Sequence, residues 1–298
     1  MAYADRQLPI ADEIFLDHVG HFVRDPEAAS HALARAGFAP TPKSIQVSPD
    51  PAGGAGQPTG IGNVTAMLPR GYMEVLFKAA DTPLGRELDS SIGRYAGLHL
   101  VAFSVADAAQ AHRRLAGSGF RMRALIDMAR PVETVAGPGT AAFTLARLTP
   151  GEMPEGRIQI LTHRTEAMVW QPRWLSHPNG ALALASVMIA VLDPDEAAQR
   201  FTRFTGRSAR AATLGQIIDL DRGRNDLVRS EAFAQLLPEV MIRALPFIGA
   251  YTIVVKSLAA VESIFVKANL PTRRMGQALV APFPGELGEG AWIFAQAA

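Results

Sequence analysis

The sequence predicts an α+β protein of four βαβββ modules arranged as two pairs. Three observations predict it. A short apolar β-rich segment, a capped alanine-rich helix and a glycine or asparagine stop recur four times along 298 residues. The distances from helix cap to helix stop are 12, 12, 13 and 12 residues. Each helix is followed by a region with room for three strands, and a sheet carrying helices on one face must pack its other face or enclose a site.

The first unit opens with Ile14–Val23, then Asp25-Pro26-Glu27, an N-cap followed by proline at the first helical position. Its helix carries Ala28, Ala29, Ala32, Leu33 and Ala36 and stops at Gly37-Phe38. Strands follow at Lys43–Val47, Asn63–Leu68 and Tyr72–Phe77, with Pro69-Arg70-Gly71 as a turn. Ser48–Gly62, rich in Gly and Pro, reads as a loop at the rim. The second unit runs from Leu98–Val105 through the cap Asp107 to Gly119-Phe120, with strands at Ala141–Leu148 and Arg157–Leu161. The third runs from Val187–Leu192 through Asp193-Pro194 to Gly206, with a strand near Gly215–Leu220. The fourth runs from Tyr251–Val255 through Ser257 to Asn269-Leu270, with strands at Ala278–Ala281 and Ala291–Ala295. Ala79–Gly97 and Thr162–Gly180 read as links between units. The chain divides into residues 1–170 and 171–298.

Composition excludes several classes. The absence of cysteine removes disulfide frameworks, thiolate metal sites and cysteine nucleophiles. Lys plus Arg is 29 against 28 for Asp plus Glu, with no concentrated basic footprint, so no nucleic-acid partner is expected. The longest apolar segment, Ala181–Leu192, falls well short of the ~20 residues of a spanning helix. The N-terminus lacks the apolar stretch of a secretory signal. The expectation is a cytoplasmic protein without a membrane partner, a monomer or a homodimer, acting on a small molecule.

Ionisable residues that interrupt the strands mark the candidate site. His18 lies in the first opening strand and His99 in the second. Glu74 and Gln159 each fall third after the glycine that precedes a closing strand. Paired about a pseudo-twofold axis, these positions are expected to converge, and two imidazoles with a carboxylate form a mixed N/O face for a divalent cation. The metal set is therefore His18, Glu74, His99 and Gln159, with Gln159 as the weaker ligand. Glu74 and His163 are the candidate catalytic bases. His21 is expected to be structural or to support the ligands from behind, and Arg70, Arg157 and Arg164 are candidates to receive an anionic substrate.

The stretches LDHVGHFVRDPEAASHALARAGF and GNVTAMLPRGYMEVLF resemble the vicinal oxygen chelate superfamily, and its glyoxalase-like domain proteins in particular. The resemblance implies two paired glyoxalase-like domains, with His18, Glu74, His99 and Gln159 at the metal-ligand positions. It also implies bidentate chelation of a small oxygenated substrate by a divalent ion (Zn, Ni, Co, Mn or Fe). A lyase or isomerase follows from this, with an Fe(II)-dependent extradiol or 2-oxo-acid dioxygenase and a non-catalytic binding or resistance protein as alternatives. The later opening strands contain no histidine, so no second metal site is expected there.

Overall fold

The computed structural model describes residues 6–50 and 56–297. Its element order begins with β1 (Ile14–Phe22), α1 (Pro26–Arg35), β2 (Ser44–Ser48), β3 (Gln57–Met67) and β4 (Tyr72–Lys78). The link to the next run is the helix α2 (Pro83–Arg94). Then come β5 (Gly97–Val105), α3 (Ala108–Gly117), β6 (Ile126–Thr134), β7 (Gly137–Arg147) and β8 (Arg157–His163). The short α4 (Glu166–Val169) leads to β9 (Ala181–Val191), α5 (Pro194–Thr205), β10 (Ala209–Ala212), β11 (Gly215–Asp219) and β12 (Arg224–Arg229). After α6 (Ser230–Leu236) come β13 (Phe247–Val255), α7 (Leu258–Lys267), β14 (Arg273–Met275), β15 (Ala278–Pro282) and β16 (Ala291–Gln296).

The helices begin and end for local reasons. Side chains of Asp25, Asp107, Asp193 and Ser257 cap α1, α3, α5 and α7 by accepting from backbone N–H groups of the first turn. Gly37, Gly119, Gly206 and Asn269 follow in left-handed conformation, with φ of 79°, 85°, 72° and 53°.

Two large mixed sheets result, consistent with duplicated βαβββ units. The first is a closed barrel in the order β1-β4-β3-β2-β6-β7-β8-β5, and the second an eight-stranded sheet in the order β10-β11-β12-β9-β13-β16-β15-β14. All nine residues of β1 are buried, because one face meets the helices and the second sheet while the other faces the barrel interior. Strands of the second sheet, with α1, α5 and α7, share one apolar core with the barrel wall, including Val19, Leu33, Phe201, Tyr251 and Phe265. The halves also meet through polar contacts. His21 bonds Leu287 O through Nδ1 and Tyr251 Oη through Nε2, both at 3.0 Å, and Trp292 Nε1 donates to the same Tyr251 oxygen at 2.6 Å.

Two local expectations change. Ala79–Gly97 is mostly helix rather than plain link. The expected rim loop is shorter than Ser48–Gly62, since β3 starts at Gln57, and residues 51–55 of it lie outside the described residues. The second half has no barrel like the first: Ala250 and Ile293 sit among Phe233, Leu237, Val240 and Phe247, and α6 fills the corresponding hollow with apolar side chains. Among the described residues no helix is long and apolar enough to cross a membrane.

Candidate functional site

Alternation along the barrel strands sends every second side chain inward. Tyr72, Glu74 and Leu76 of β4, Phe143, Leu145 and Arg147 of β7, and Arg157, Gln159 and Leu161 of β8 line one interior cavity. His18, Gln46, Asn63 and Arg130 complete its polar wall, and about 40 Å³ is left free.

The seam between β1 and β5 sets the chemistry. Leu16 pairs with Phe103 and His18 with Ala102, so Asp17 is an extra residue on β1. Gly20 pairs with Leu100 and His21 with Leu98, so His99 is an extra residue on β5. Such bulges re-aim the side chains beside them. Asp17 is fully buried and holds two histidines: Oδ1 lies 2.8 Å from His18 Nδ1, and Oδ2 lies 2.9 Å from His163 Nε2. Burial works to raise the Asp17 carboxyl, but the charges and hydrogen bonds of His163 and His18 outweigh it and hold it well below the usual range. An ionised carboxylate only accepts, so both histidine nitrogens donate to it.

His18 Nε2 is thereby left to face Glu74 Oε2 across 3.6 Å. Asn63 Nδ2 donates to the other oxygen of Glu74 at 2.6 Å. The His18 ring stacks on Tyr72 at 4.3 Å, and burial keeps the Tyr72 hydroxyl protonated by raising its pKa well above the ordinary value.

Opposite this acid–base pair stand arginines. Arg130 and Arg147 are 7% and 8% exposed. Arg147 Nε donates to the neutral Gln159 Oε1 at 3.1 Å, and among the described residues no carboxylate lies within ion-pair distance of Arg130 or Arg147. Burial, then repulsion from Arg157 and Arg123, pushes the Arg147 guanidinium down to about 9. Arg157 has Glu87 3.8 Å away and lies over the Phe22 ring. A buried cation without a counter-ion is costly, so an entering anion removes a penalty as well as gaining contacts.

The structure brings together His18, Glu74 and Gln159, and it does not bring His99 to them. His99 lines a neighbouring cavity, where its Nε2 donates to Tyr95 O at 2.7 Å and its ring stacks on Tyr95 at 4.0 Å. Burial pushes its pKa down to about 4, and Arg94 and Arg157 add to the effect. His163 lies beneath the cavity, its side chain fully buried and its Nδ1 without a hydrogen-bond partner among the described residues. His21 is structural, as expected. Of the three arginines named from sequence, Arg157 reaches the cavity, whereas Arg164 donates to Thr144 Oγ1 at 2.9 Å and is not among its lining residues.

These residues do not fit a resident divalent cation. His18 Nε2 and Glu74 Oε2 are two donors, but Gln159 Oε1 is engaged by Arg147, and the nearby guanidiniums oppose added positive charge. No group of three or more His, Asp or Glu suited to a metal ion occurs among the described residues. Of the four residues expected to hold a divalent ion, His18, Glu74 and Gln159 share the cup and His99 does not.

Sequence reasoning missed Asp17, Arg130, Arg147 and Asn63. Arg147 was within reach, since Phe143, Leu145 and Arg147 alternate through one expected strand. Arg130 lies on β6, for which the sequence offers no clear strand signal, and Asp17 depends on a bulge.

The model of the glyoxalase-like domain matches residues 16–205, and the chain belongs to that family. A comparison with curated proteins finds no match. Among solved structures, a hypothetical protein from Staphylococcus aureus aligns at 9% identity with a TM-score of 0.64, over 95% of this chain and 100% of that one. A mutant of 4-hydroxymandelate synthase from Streptomyces coelicolor aligns at 14% identity and 0.57, over 95% and 92%. A fusion of a xylose isomerase-like TIM barrel with a 4-hydroxyphenylpyruvate dioxygenase aligns at 12% and 0.56, over 98% of this chain and 50% of the fusion. At these identities the likeness is one of fold.

Proposed function

We propose that this glyoxalase-like protein is a small-molecule enzyme of the lyase or isomerase kind that moves a proton on a carboxylate-bearing substrate. The observation that carries the reading is the pairing, in one cup, of buried Arg130 and Arg147, which lack carboxylate partners among the described residues, with the His18–Glu74 pair. The arginines seat the anion and hold the negative charge that develops when a neighbouring C–H loses its proton. His18 Nε2, with Nδ1–H tied to Asp17, accepts that proton, and the Asp17 carboxylate stabilises the imidazolium that forms. Glu74, anchored through one oxygen by Asn63, returns or takes the second proton through the other. Tyr72 supplies a hydroxyl donor that stays protonated throughout.

On this reading residues 1–170 carry the site, and residues 171–298 form a second pair of modules that brace it. Ser186 and Ala250 stand where the first half has His18 and Leu100, which supports a division of labour between the halves.

The test is hydrogen–deuterium exchange, followed by NMR, at C2 of a panel of 2-hydroxy acids and at C3 of a panel of 2-oxo acids. Catalysed exchange in the wild type, lowered about 10²–10⁴-fold in Glu74→Gln, is expected. Carboxylate binding that is unaffected by Arg130→Gln and Arg147→Gln would overturn the reading.

A further inference from the structure

The cup itself leaves little free space. Its 40 Å³ admits roughly three water-sized groups, which is the size of a carboxylate head. The rest of a larger substrate would extend into an adjoining space, and among the described residues two such spaces share lining residues with the cup. One, of about 460 Å³, is mostly apolar, is lined by Trp174, Met168 and Val132 among others, and meets the cup at Arg130. The other, of about 340 Å³, shares Arg147, Arg157 and Gln159 with the cup, so that those three side chains form the common wall.

Polarity separates the two spaces: the first is largely apolar, and of its cations beyond Arg130, Lys43 is paired with Glu27 and Arg173 is held by Gln171. The second carries Arg94 and Arg123 in addition to the two shared arginines, against a single acidic lining residue, Glu87. Glu87 is already engaged by Arg123 at 2.7 Å and lies 3.8 Å from Arg157. Arg94 is exposed, with Pro246 O at 3.5 Å and the Tyr95 ring as its contacts. His99, on the same wall, donates through Nε2 to Tyr95 O, so its neutral ring keeps Nδ1 as an acceptor and adds no charge of its own. Four guanidiniums around one carboxylate make a chamber suited to an oxyanion.

We propose that this outer chamber is a second oxyanion subsite and that the substrate is an elongated dianion. One carboxylate sits in the cup with Arg130 and Arg147, and a second carboxylate or a phosphate sits between Arg94 and Arg123. The proposal rests on the reading of the cup as a carboxylate site and names the class of molecule that it takes. Arg147 and Arg157, on the shared wall, face both charges and favour a dianion over two separate monoanions.

The test is an NMR titration of the full chain with acetate and hexanoate, with succinate, glutarate and adipate, and with phosphoglycolate. Wild type is compared with Arg130→Gln, Arg94→Ala, Arg123→Gln and Trp174→Ala. At least one dianion is expected to bind about tenfold to a hundredfold tighter than acetate. That gain should be lost in Arg94→Ala and Arg123→Gln, while acetate binding persists in both. Because Arg94 is exposed, its variant keeps the test valid if Arg123→Gln fails to fold. Acetate binding that depends on Arg130, with no gain for any dianion or a gain that survives both outer variants, would overturn the proposal and leave the cup reading standing. A gain for hexanoate alone, abolished by Trp174→Ala, would also overturn it and direct the tail to the apolar space. Absence of binding by every carboxylate would overturn both readings.

Discussion

Asp17 and His99 are the same residue of one repeated motif: each is the bulge residue of its strand in the β1–β5 seam, and each lies eight residues before its helix cap. His18 lies seven residues before its cap, so its counterpart in the second run is Leu100. The strand pairings agree, for His18 faces Tyr72 and Leu100 faces Arg157. The same offset recurs in the second sheet, where Gly249 and Ala185 fall at the register shifts between β13 and β9. One residue of register moves a side chain to another face of a strand. That is why His99 opens onto the outer chamber and His18 onto the cup.

Replacing Asp17 with Asn tests the centre of this arrangement. The change removes the charge that orders two buried histidines, so a loss of about 3 kcal/mol of stability is expected, together with a fall in proton exchange. Urea denaturation and the deuterium-exchange assay read the two effects separately. Unchanged stability would mean that the two histidines do not depend on the Asp17 charge.

Arg130→Met is expected to move stability and binding in opposite directions. Without ligand the variant should be more stable by about 1 kcal/mol or more, because a buried charge with no carboxylate partner among the described residues has gone. Its affinity for small carboxylates should fall about tenfold or more. Thermal melts with and without acetate measure both.

Acid sensitivity should reflect two buried histidines. Burial holds His21 and His99 at about 4, whereas the unfolded chain titrates near 6.5. Between those values the unfolded state binds more protons, so stability rises with pH from about 4 to 6.5 and levels above. Each group contributes up to roughly 3 kcal/mol across the window. Urea midpoints at pH 5 and pH 7 should differ in the wild type and differ less in His99→Gln.

Divalent ions are expected to leave the protein unchanged. Titration of chelator-treated protein with zinc, manganese, nickel or ferrous ion should give no saturable rise in melting temperature. A stoichiometric rise that His18→Ala abolishes would restore the metal set expected from sequence.

Much of the scaffold was legible because its signals are local. Asp25, Asp107, Asp193 and Ser257 announce their helices by capping chemistry, and the stops at Gly37, Gly119, Gly206 and Asn269 follow from left-handed backbone. The closing strands placed Glu74 and Gln159 correctly relative to each other, since they share one offset from their pairing partners. The seam was not legible. A bulge is settled by how two distant strands meet, and no residue in LDHVGHF or GLHLVAF declares it. Arg130 escaped for a related reason, since β6 mixes a proline and charged residues with its apolar ones and gains its strand character by pairing with β7.

The contact in which His21 and Trp292 share the Tyr251 hydroxyl has a consequence for how the molecule comes apart. Residues from the first barrel strand and from the last strand of the chain meet on one oxygen, inside an apolar core to which both sheets contribute. Neither sheet can open there without stranding buried polar atoms on the other. Heating or urea should therefore dissolve both halves in a single cooperative transition, and a fragment cut near residue 170 should lack an autonomous melting profile.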